Sequence, residues 1–239
     1  MKKIIGLIVI ALISVHLNAQ YFTKKVKGNG TIISETRNSS DYDKIGVGGS
    51  FDVELVKGKE GKITIKADEN LMEYIVTEVK KGTLKIKAKK NYKLKPTNTI
   101  KITVSFENIE GVSLAGSGDI FSKNVIESNN FKVNVAGSGE INLKVDTQTV
   151  KSNIAGSGNI NLSGNSKDFN CSIAGSGNFN GYDLQTTQAS VRIAGSGNVK
   201  INAAENLNAK IAGSGNVYYT GSPEVAKSTA GSGSVKKKS

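Results

Sequence analysis

The sequence predicts an all-β protein built as a parallel β-helix (a β-solenoid), in which each turn of the chain stacks on the one before it. Two observations predict this fold. The tetrapeptide Ala-Gly-Ser-Gly occurs seven times, at spacings of 18 to 21 residues. The residues on both sides of each copy alternate between apolar and polar, which is typical of strands with one buried face. A fixed period near 20 residues indicates a repeat architecture of about seven coils.

Each repeat has the same internal order of strand, corner, strand and polar connection. Apolar residues alternate before the corner, as at Phe169, Cys171 and Ile173, and again after it, as at Ile160 and Leu162. Glycine adopts positive φ at little steric cost, so the two glycines that flank the corner serine allow a sharp bend. Stacked repeats should bring the residues after the corners into one column, where four asparagines predict a ladder of amide hydrogen bonds. That column is Asp119, Glu140, Asn159, Asn178, Asn198, Asn216 and Ser234.

An antiparallel meander, with the tetrapeptides as hairpin loops, fits the same alternation. Near-identical corners favour the β-helix, because identical residues lie on one another only when coils stack. The corners also lack the Asn-Gly or Asp-Gly pairs that two-residue hairpins prefer. The β-helix is therefore the favoured interpretation, and the meander is its alternative.

The regions at both ends of the repeats differ from them. Residues 41–110 should form longer strands that make the first coils and a cap, with a short helical turn near Leu71 and a turn at Lys80-Lys81-Gly82. Lys236, Lys237 and Lys238 follow the last repeat, where charge on an edge strand discourages end-to-end association. The sequence thus divides into residues 1–19, a lead-in at 20–40, a β-helix domain at 41–235 with its repeats at 111–235, and a basic tail at 236–239.

Residues 1–19 are predicted to be a signal peptide. Lys2 and Lys3 precede an apolar stretch at 4–13, and Leu17-Asn18-Ala19 suits cleavage before Gln20. The stretch is shorter than the roughly 20 residues of a membrane-spanning helix, and no second one follows. We expect an exported protein with no membrane anchor in its mature chain, located in the periplasm, at the outer membrane or outside the cell.

The composition excludes several kinds of chemistry. The one histidine, His16, lies in the predicted signal peptide, so the mature chain lacks imidazole for acid–base catalysis or zinc binding. The one cysteine, Cys171, allows no internal disulfide and is expected to be a core thiol. Nucleic-acid binding is not expected despite a net charge of +12, because tryptophan is absent and the lysines are scattered as on solvated strand faces. No cofactor or metal is predicted.

Four residues are candidate ligand contacts. Asp119 and Glu140 should stack on neighbouring coils about 5 Å apart, as paired carboxylates or, more simply, as solvated acids. Such a pair is compatible with weak calcium binding or glycoside hydrolysis. Tyr218 and Tyr219 are adjacent, so strand alternation turns one inward and the other outward. The outward tyrosine would pack on the end of the solenoid or contact a glycan or a partner protein.

The segment at 45–55, Ile-Gly-Val-Gly-Gly-Ser-Phe-Asp-Val-Glu-Leu, resembles the opening of the head GIN domain of the putative auto-transporter adhesin family. The repeated Ala-Gly-Ser-Gly-Asn-Ile tract resembles the rest of that domain, over about residues 41–220. The resemblance implies a right-handed parallel β-helix, export and an adhesive role, and it brings no catalytic residues. Only Ser234 and Val235 separate the last corner from the lysines, so we expect no membrane barrel and no self-sufficient autotransporter.

The sequence therefore predicts a non-enzymatic, adhesin-like binding protein of the cell envelope or surface. Its partner would be a glycan or another envelope or surface protein. Two alternatives remain: a carbohydrate-active β-helix enzyme that uses carboxylates on the helix face, and a purely structural envelope protein without a ligand.

Overall fold

The computed structural model describes residues 23–238. The predicted signal peptide lies outside the described residues. Within residues 23–238, there is no helix with the length and apolar character that crossing a membrane requires.

The N-terminal region combines ten strands with one short helix. They are β1 (Lys24–Lys27), β2 (Ile32–Asn38), β3 (Lys44–Gly49), β4 (Asp52–Lys57), β5 (Lys62–Asp68), a 3-10 helix (Glu69–Tyr74), β6 (Ile75–Lys80), β7 (Thr83–Ala88), β8 (Tyr92–Lys95), β9 (Lys101–Phe106) and β10 (Gly111–Gly116). The helix confirms the predicted helical turn. The predicted turn between β6 and β7 is also confirmed, with positive φ at Lys81 and Gly82.

The repeats form long strands that bend as they wind around the core. They are β11 (Asp119–Gly137), β12 (Glu140–Gly156), β13 (Asn159–Gly175), β14 (Asn178–Gly195), β15 (Asn198–Gly213), β16 (Asn216–Thr220), β17 (Glu224–Ala230) and β18 (Ser234–Lys237). The last strand thus includes Lys236 and Lys237 of the basic tail, which pair with β16.

Every strand pair in the repeats is parallel, and each repeat makes one coil. The register places Gly137 opposite Gly116 and then opposite Gly156, and the same match continues to Gly213. The corners therefore lie directly over one another. The predicted parallel β-solenoid is confirmed, and the meander is wrong.

Both corner glycines lie so close to the coil below that a Cβ would clash with its backbone, but only the first also has an unusual backbone conformation. The first has positive φ, between 115° at Gly156 and 142° at Gly116, as predicted for a bend that favours glycine. The second does not have positive φ. A Cβ at Gly177 would lie 2.3 Å from the carbonyl oxygen of Gly158 in the coil below, closer than atoms can approach. The prediction that both glycines serve the bend is therefore wrong, because the second one allows neighbouring coils to touch.

The core consists of columns of identical or similar apolar side chains. One column holds Val53, Ile120, Ile141, Ile160, Phe179, Val199 and Val217, which are all fully buried. The rings of Phe169 and Phe179 lie 4.6 Å apart between centroids. Cys171 is buried as predicted, and burial raises the pKa of its thiol to about 12, so it stays protonated at neutral pH.

The two walls that meet at the corners carry different outward residues. The segments after each corner form what we call the asparagine face: β4, the first parts of β11–β15, β16 and β18. The segments before each corner form the alanine face: β3, β10, the last parts of β11–β15, and β17. Its exposed column is Ala115, Ala136, Ala155, Ala174, Ala194, Ala212 and Ala230.

Candidate functional site

The asparagine face carries the predicted amide ladder in the column directly after the corners. The side-chain nitrogen of Asn178 donates to Asn159 at 3.1 Å, Asn198 donates to Asn178 at 3.0 Å, and Asn216 donates to Asn198 at 3.1 Å. The Ser234 hydroxyl ends the series by donating to Asn216 at 2.7 Å. The predicted ladder is confirmed, and it fixes the amide orientation at each coil.

A second column, polar at every position except Phe121, runs parallel to the first, two residues further along each strand. Its members are Glu54, Phe121, Asn142, Asn161, Asn180, Lys200, Tyr218 and Lys236. Asn180 donates to Asn161, and Asn161 donates to Oε1 of Glu140, both at 2.7 Å. The hydrogen bond from Asn161 to Glu140 crosses between the two columns. Sequence reasoning missed this column, although the repeated Asn-x-Asn after the corners is a usable signal for it.

Two shallow grooves follow these columns. The first has a volume of about 450 Å³ and is lined by Glu140, Asn159, Asn161, Asn178, Asn180, Asn198, Lys200 and Tyr218. The second, of about 490 Å³, lies on the other side of the second column and adds Asn142, Leu162, Ser163, Tyr182 and Asp183. We call the first one the asparagine groove. It spans five coils, with Glu140 at one end and Tyr218 at the other.

The asparagine groove offers the same hydrogen-bonding groups at each coil. A side-chain amide has two N–H donors and an oxygen with two lone pairs. The ladder occupies one donor and one lone pair of a residue such as Asn178, so one of each remains for a ligand. Coils repeat at about 4.8 Å, so the groove presents neutral donors and acceptors at a constant interval. This arrangement suits a chain molecule that carries many hydroxyl groups.

The adjacent tyrosines point in opposite directions, as their alternation predicts. Tyr219 packs against the core, whereas Tyr218 lines the asparagine groove beside Lys200. Tyr182, which sequence reasoning missed, lines the second groove, and its ring lies 4.4 Å from Nζ of Lys238. Burial, followed by the proximity of Tyr218, raises the pKa of Tyr182. Two tyrosines therefore flank the end of the asparagine face near β18.

The predicted carboxylate pair is part of a longer acidic column. Asp119 lies opposite Glu140 on one side and opposite Asp52 on the other. The Glu140 backbone N–H donates to Asp119 at 3.3 Å. Burial raises the pKa of Asp52, and the charge of Asp119 adds to this effect while Lys101 opposes it. Of the two predicted carboxylates, Glu140 lines the asparagine groove, whereas Asp119 lies one coil beyond it.

These carboxylates do not gather into a cluster that suits a metal ion. Among residues 23–238, no group of three or more His, Cys, Asp and Glu side chains is placed to hold one.

The alanine face carries a larger groove, of about 880 Å³, that the sequence did not predict and that we call the alanine groove. Its walls are the exposed alanine methyl groups and the outward column two residues earlier, which includes Asn134 and Asn153. Asn153 donates to Asn134 at 2.8 Å, so this face has a short amide ladder of its own. The residues that line the groove include four cations and no carboxylate; the cations are Lys85, Lys87, Arg192 and Lys210.

Comparison with known protein families agrees with this architecture. Residues 41–223 match the model of the family described as "Putative auto-transporter adhesin, head GIN domain". The chain belongs to this family. No curated protein matches it. The head that opens the family's domain is visible here as an early corner at residues 48–51, where Gly49 lies opposite Gly116 and the Ser50 hydroxyl lies 3.1 Å from that of Ser117.

Solved structures share the fold over most of the chain. One is a "putative lipid binding protein" from Parabacteroides distasonis ATCC 8503, with 32% identity and a TM-score of 0.77, which covers 90% of this chain and all of its own. Another is a putative adhesin from Bacteroides fragilis NCTC 9343, with 23% identity, a TM-score of 0.83 and coverage of 89% of this chain and 100% of that one. A putative adhesin from Parabacteroides merdae ATCC 43184 matches with 23% identity, a TM-score of 0.74 and coverage of 90% and 100%.

Proposed function

We propose that this protein is exported and acts without catalysis as an adhesin-like binding protein of the cell envelope or surface, and that its ligand is an extended glycan. The observation that carries the proposal is the asparagine groove, in which amides recur at every coil between Glu140 and Tyr218. Membership of a family described as adhesins supports a binding role. The ligand class rests on the chemistry of the groove.

The groove chemistry favours a neutral, hydroxyl-rich polymer. Amide groups donate to hydroxyl oxygens and accept from hydroxyl hydrogens without requiring charge on the ligand. Tyr218 adds a flat apolar surface with a polar tip, which suits the mixed character of a sugar ring. The ladder holds each amide in place before binding, which reduces the entropy lost when a ligand is ordered on it.

The arrangement of the carboxylates favours binding over hydrolysis. Glycosidases need two carboxyl groups that flank the scissile bond. Asp119 and Glu140 instead stand in one column of one face, and Oε1 of Glu140 is engaged by Asn161. We therefore expect no hydrolysis of neutral or acidic polysaccharides that depends on these two residues. Rates of hydrolysis should be the same in wild type, Asp119→Asn and Glu140→Gln. A measured turnover that these variants abolish would favour the enzyme alternative.

A matched pair of variants tests the glycan proposal. Asn180→Ala removes an asparagine of the asparagine groove that donates to Asn161 at 2.7 Å. Asn153→Ala removes an asparagine of the alanine face that donates to Asn134 at 2.8 Å, so its structural role is equivalent. A glycan array followed by calorimetry should find a neutral polysaccharide whose affinity drops about tenfold in Asn180→Ala and less than twofold in Asn153→Ala. Equal losses in both variants, or no glycan bound at all, would contradict the proposal.

The alanine groove supports a second candidate, the binding of an anionic amphiphile such as a fatty acid. Its walls are apolar, and its lining carries cations such as Arg192 and Lys210 but no carboxylate. The relative from Parabacteroides distasonis, described as a putative lipid-binding protein, also favours this candidate. We expect Ala174→Gln, which places a larger side chain in the groove, to weaken binding of a fluorescent fatty acid, whereas Asn180→Ala leaves it unchanged. Unchanged binding in Ala174→Gln would rule this groove out.

A further inference from the structure

Two strands near the N-terminus form a ribbon apart from the main sheet. β1 and β8 pair in parallel with each other and with no other strand among residues 23–238. The register places Lys25 opposite Lys93 and Lys27 opposite Lys95. Val26 and Leu94, the residues between them, pack against the core, so the four lysines project from the outer side of the ribbon. All four are exposed.

This arrangement places like charges face to face. Like charges directly opposite one another in a sheet destabilise it. Within the described part of the chain, none of the four lysines forms an ion pair, whereas other lysines do. Lys57 pairs with Glu127 at 3.4 Å, and Lys87 pairs with Glu78 at 3.1 Å. The ribbon therefore concentrates positive charge that the fold itself does not neutralise.

The surrounding sequence contributes further positive charge. Residues 79–106 contain nine lysines and no aspartate or glutamate, and residues 20–34 contain three lysines and likewise no acid. The 3-10 helix that contacts β8 carries Glu69 and Glu73, and both are exposed without an ion pair to the ribbon lysines. The lysines look scattered along the chain, and it is the pairing of two distant segments that gathers them.

We propose that this lysine ribbon, residues 24–27 and 92–95, docks the protein on the anionic phospholipid headgroups of a membrane. An anionic bilayer presents many negative charges in one plane, which complements four lysines on one side of a flat ribbon. The outer side carries no apolar residue, so the contact is peripheral and electrostatic.

The position of the ribbon is compatible with ligand binding elsewhere. β8 contacts β7, which lies near the end of the main sheet opposite β18. Docking through the ribbon therefore leaves the asparagine groove accessible, because that groove is lined by residues of β12–β16. The inference does not depend on either proposed ligand.

Vesicle co-sedimentation of the protein purified from an exporting host tests the proposal. We expect binding to vesicles of phosphatidylglycerol and phosphatidylcholine at low salt, no binding to phosphatidylcholine alone, and release at 1 M salt, where the Debye length falls to about 3 Å. A variant with Gln at four ribbon positions should bind at least tenfold more weakly. Its substitutions are Lys25→Gln, Lys27→Gln, Lys93→Gln and Lys95→Gln. A control variant with the same loss of charge, built from Lys132→Gln, Lys144→Gln, Lys151→Gln and Lys167→Gln, should stay within about twofold of wild type.

Three results would overturn the proposal. One is wild-type protein that does not bind the anionic vesicles at low salt. Another is an equal loss of vesicle binding in the ribbon variant and the control variant, which would mean that binding depends only on net charge. The third is equally tight binding to soluble polyphosphate at the same phosphate concentration, which would assign the ribbon to a soluble polyanion. Thermal melts verify folding, and removal of opposed like charges should leave the ribbon variant at least as stable as wild type.

Discussion

The N-terminal region and the repeats are stabilised in different ways. The repeats use the same contact many times: identical corners, parallel strands and amides that bond to their own equivalents in the next coil. Residues 23–110 mix parallel and antiparallel strands, as in the antiparallel pairing of β5 with β2 and β9 and of β6 with β7. The comparison teaches that repetition can extend a solenoid but cannot end one, because the terminal coil must be covered by contacts that occur once.

Two side chains illustrate those single contacts. Asp68 is fully buried and accepts hydrogen bonds from the backbone of Gly30 and from both the backbone and the hydroxyl of Thr97, at 2.6 to 3.0 Å. Arg37 donates to the carbonyl oxygens of Met72 and Ile75 at the end of the 3-10 helix. Each joins segments that are distant in sequence, so neither has an equivalent in the repeats.

The largest expected effect comes from the close contact between the corner glycines of neighbouring coils. In Gly177→Ala the new Cβ would overlap the carbonyl oxygen of Gly158 at 2.3 Å and Cγ2 of Ile154 at 2.6 Å. We expect the free energy of unfolding to fall by roughly 3 kcal/mol, because two backbones must separate. Gly58→Ala in the N-terminal region is the control, since no atom lies within 4 Å of the position that its new Cβ would take. Similar urea midpoints for both variants would show that the coils are not in tight contact at the corners.

A smaller loss is expected when the central contact of the N-terminal region is removed. Asp68→Asn replaces one carboxylate oxygen with an NH₂ group that faces other hydrogen-bond donors. The substitution should lower the free energy of unfolding by roughly 2 kcal/mol at pH 7. Asp41→Asn, at an exposed position, should have little effect. Urea unfolding of both variants at pH 7 measures the difference.

The pH dependence of this loss follows from the pKa of Asp68. Burial raises that pKa, but the hydrogen bonds from Thr97 and Gly30 outweigh burial and hold the pKa below its ordinary value. A carboxyl group with a lowered folded-state pKa stabilises the protein above the unfolded pKa of about 4, and this stabilisation is lost as the pH falls through the folded value. The difference in the free energy of unfolding between wild type and Asp68→Asn should therefore become smaller as the pH falls. A difference that grows as the pH falls would contradict this explanation.

The smallest expected effect is a gain in stability from a substitution at the boundary between the N-terminal region and the repeats. Asp52 is the residue of the N-terminal region that enters the corner column, and burial together with Asp119 raises its pKa. A raised folded-state pKa means that the folded protein favours protonated Asp52. The contribution of Asp52 to stability is therefore present at low pH and is lost as the pH rises through the folded-state pKa. Asp52→Asn should raise the free energy of unfolding by under about 1 kcal/mol at pH 7 and by nothing near pH 3. Glu205→Gln, at an exposed position, is the control. A lower free energy of unfolding for Asp52→Asn than for wild type at pH 7 would contradict repulsion between Asp52 and Asp119.

The sequence allowed the repeats to be predicted in detail because their contacts join equivalent positions. The ladder through Asn178, the burial of Cys171 and the opposite directions of Tyr218 and Tyr219 all follow from period and alternation. The N-terminal contacts could not be predicted in this way. The pairing of β1 with β8 joins residues far apart in sequence, and the three hydrogen bonds to Asp68 come from loops without a recognisable pattern.

Two features of the candidate site were missed for other reasons. The acidic column gains Asp52 from an early corner that lacks the Ala-Gly-Ser-Gly sequence. The alanine groove results from the exposure of one residue type across seven coils, and a single alanine in a strand gives no sign of it.

Calorimetry with oligosaccharides of increasing length tests most directly whether the asparagine groove binds a chain molecule coil by coil. The groove spans the five coils from Glu140 to Tyr218. Affinity should therefore rise with each added sugar until the ligand fills those coils, at roughly 20 Å of length for a coil spacing of about 4.8 Å, and should then level off. Affinity that is already maximal with one or two sugars would show recognition of a chain end and would contradict binding along the groove.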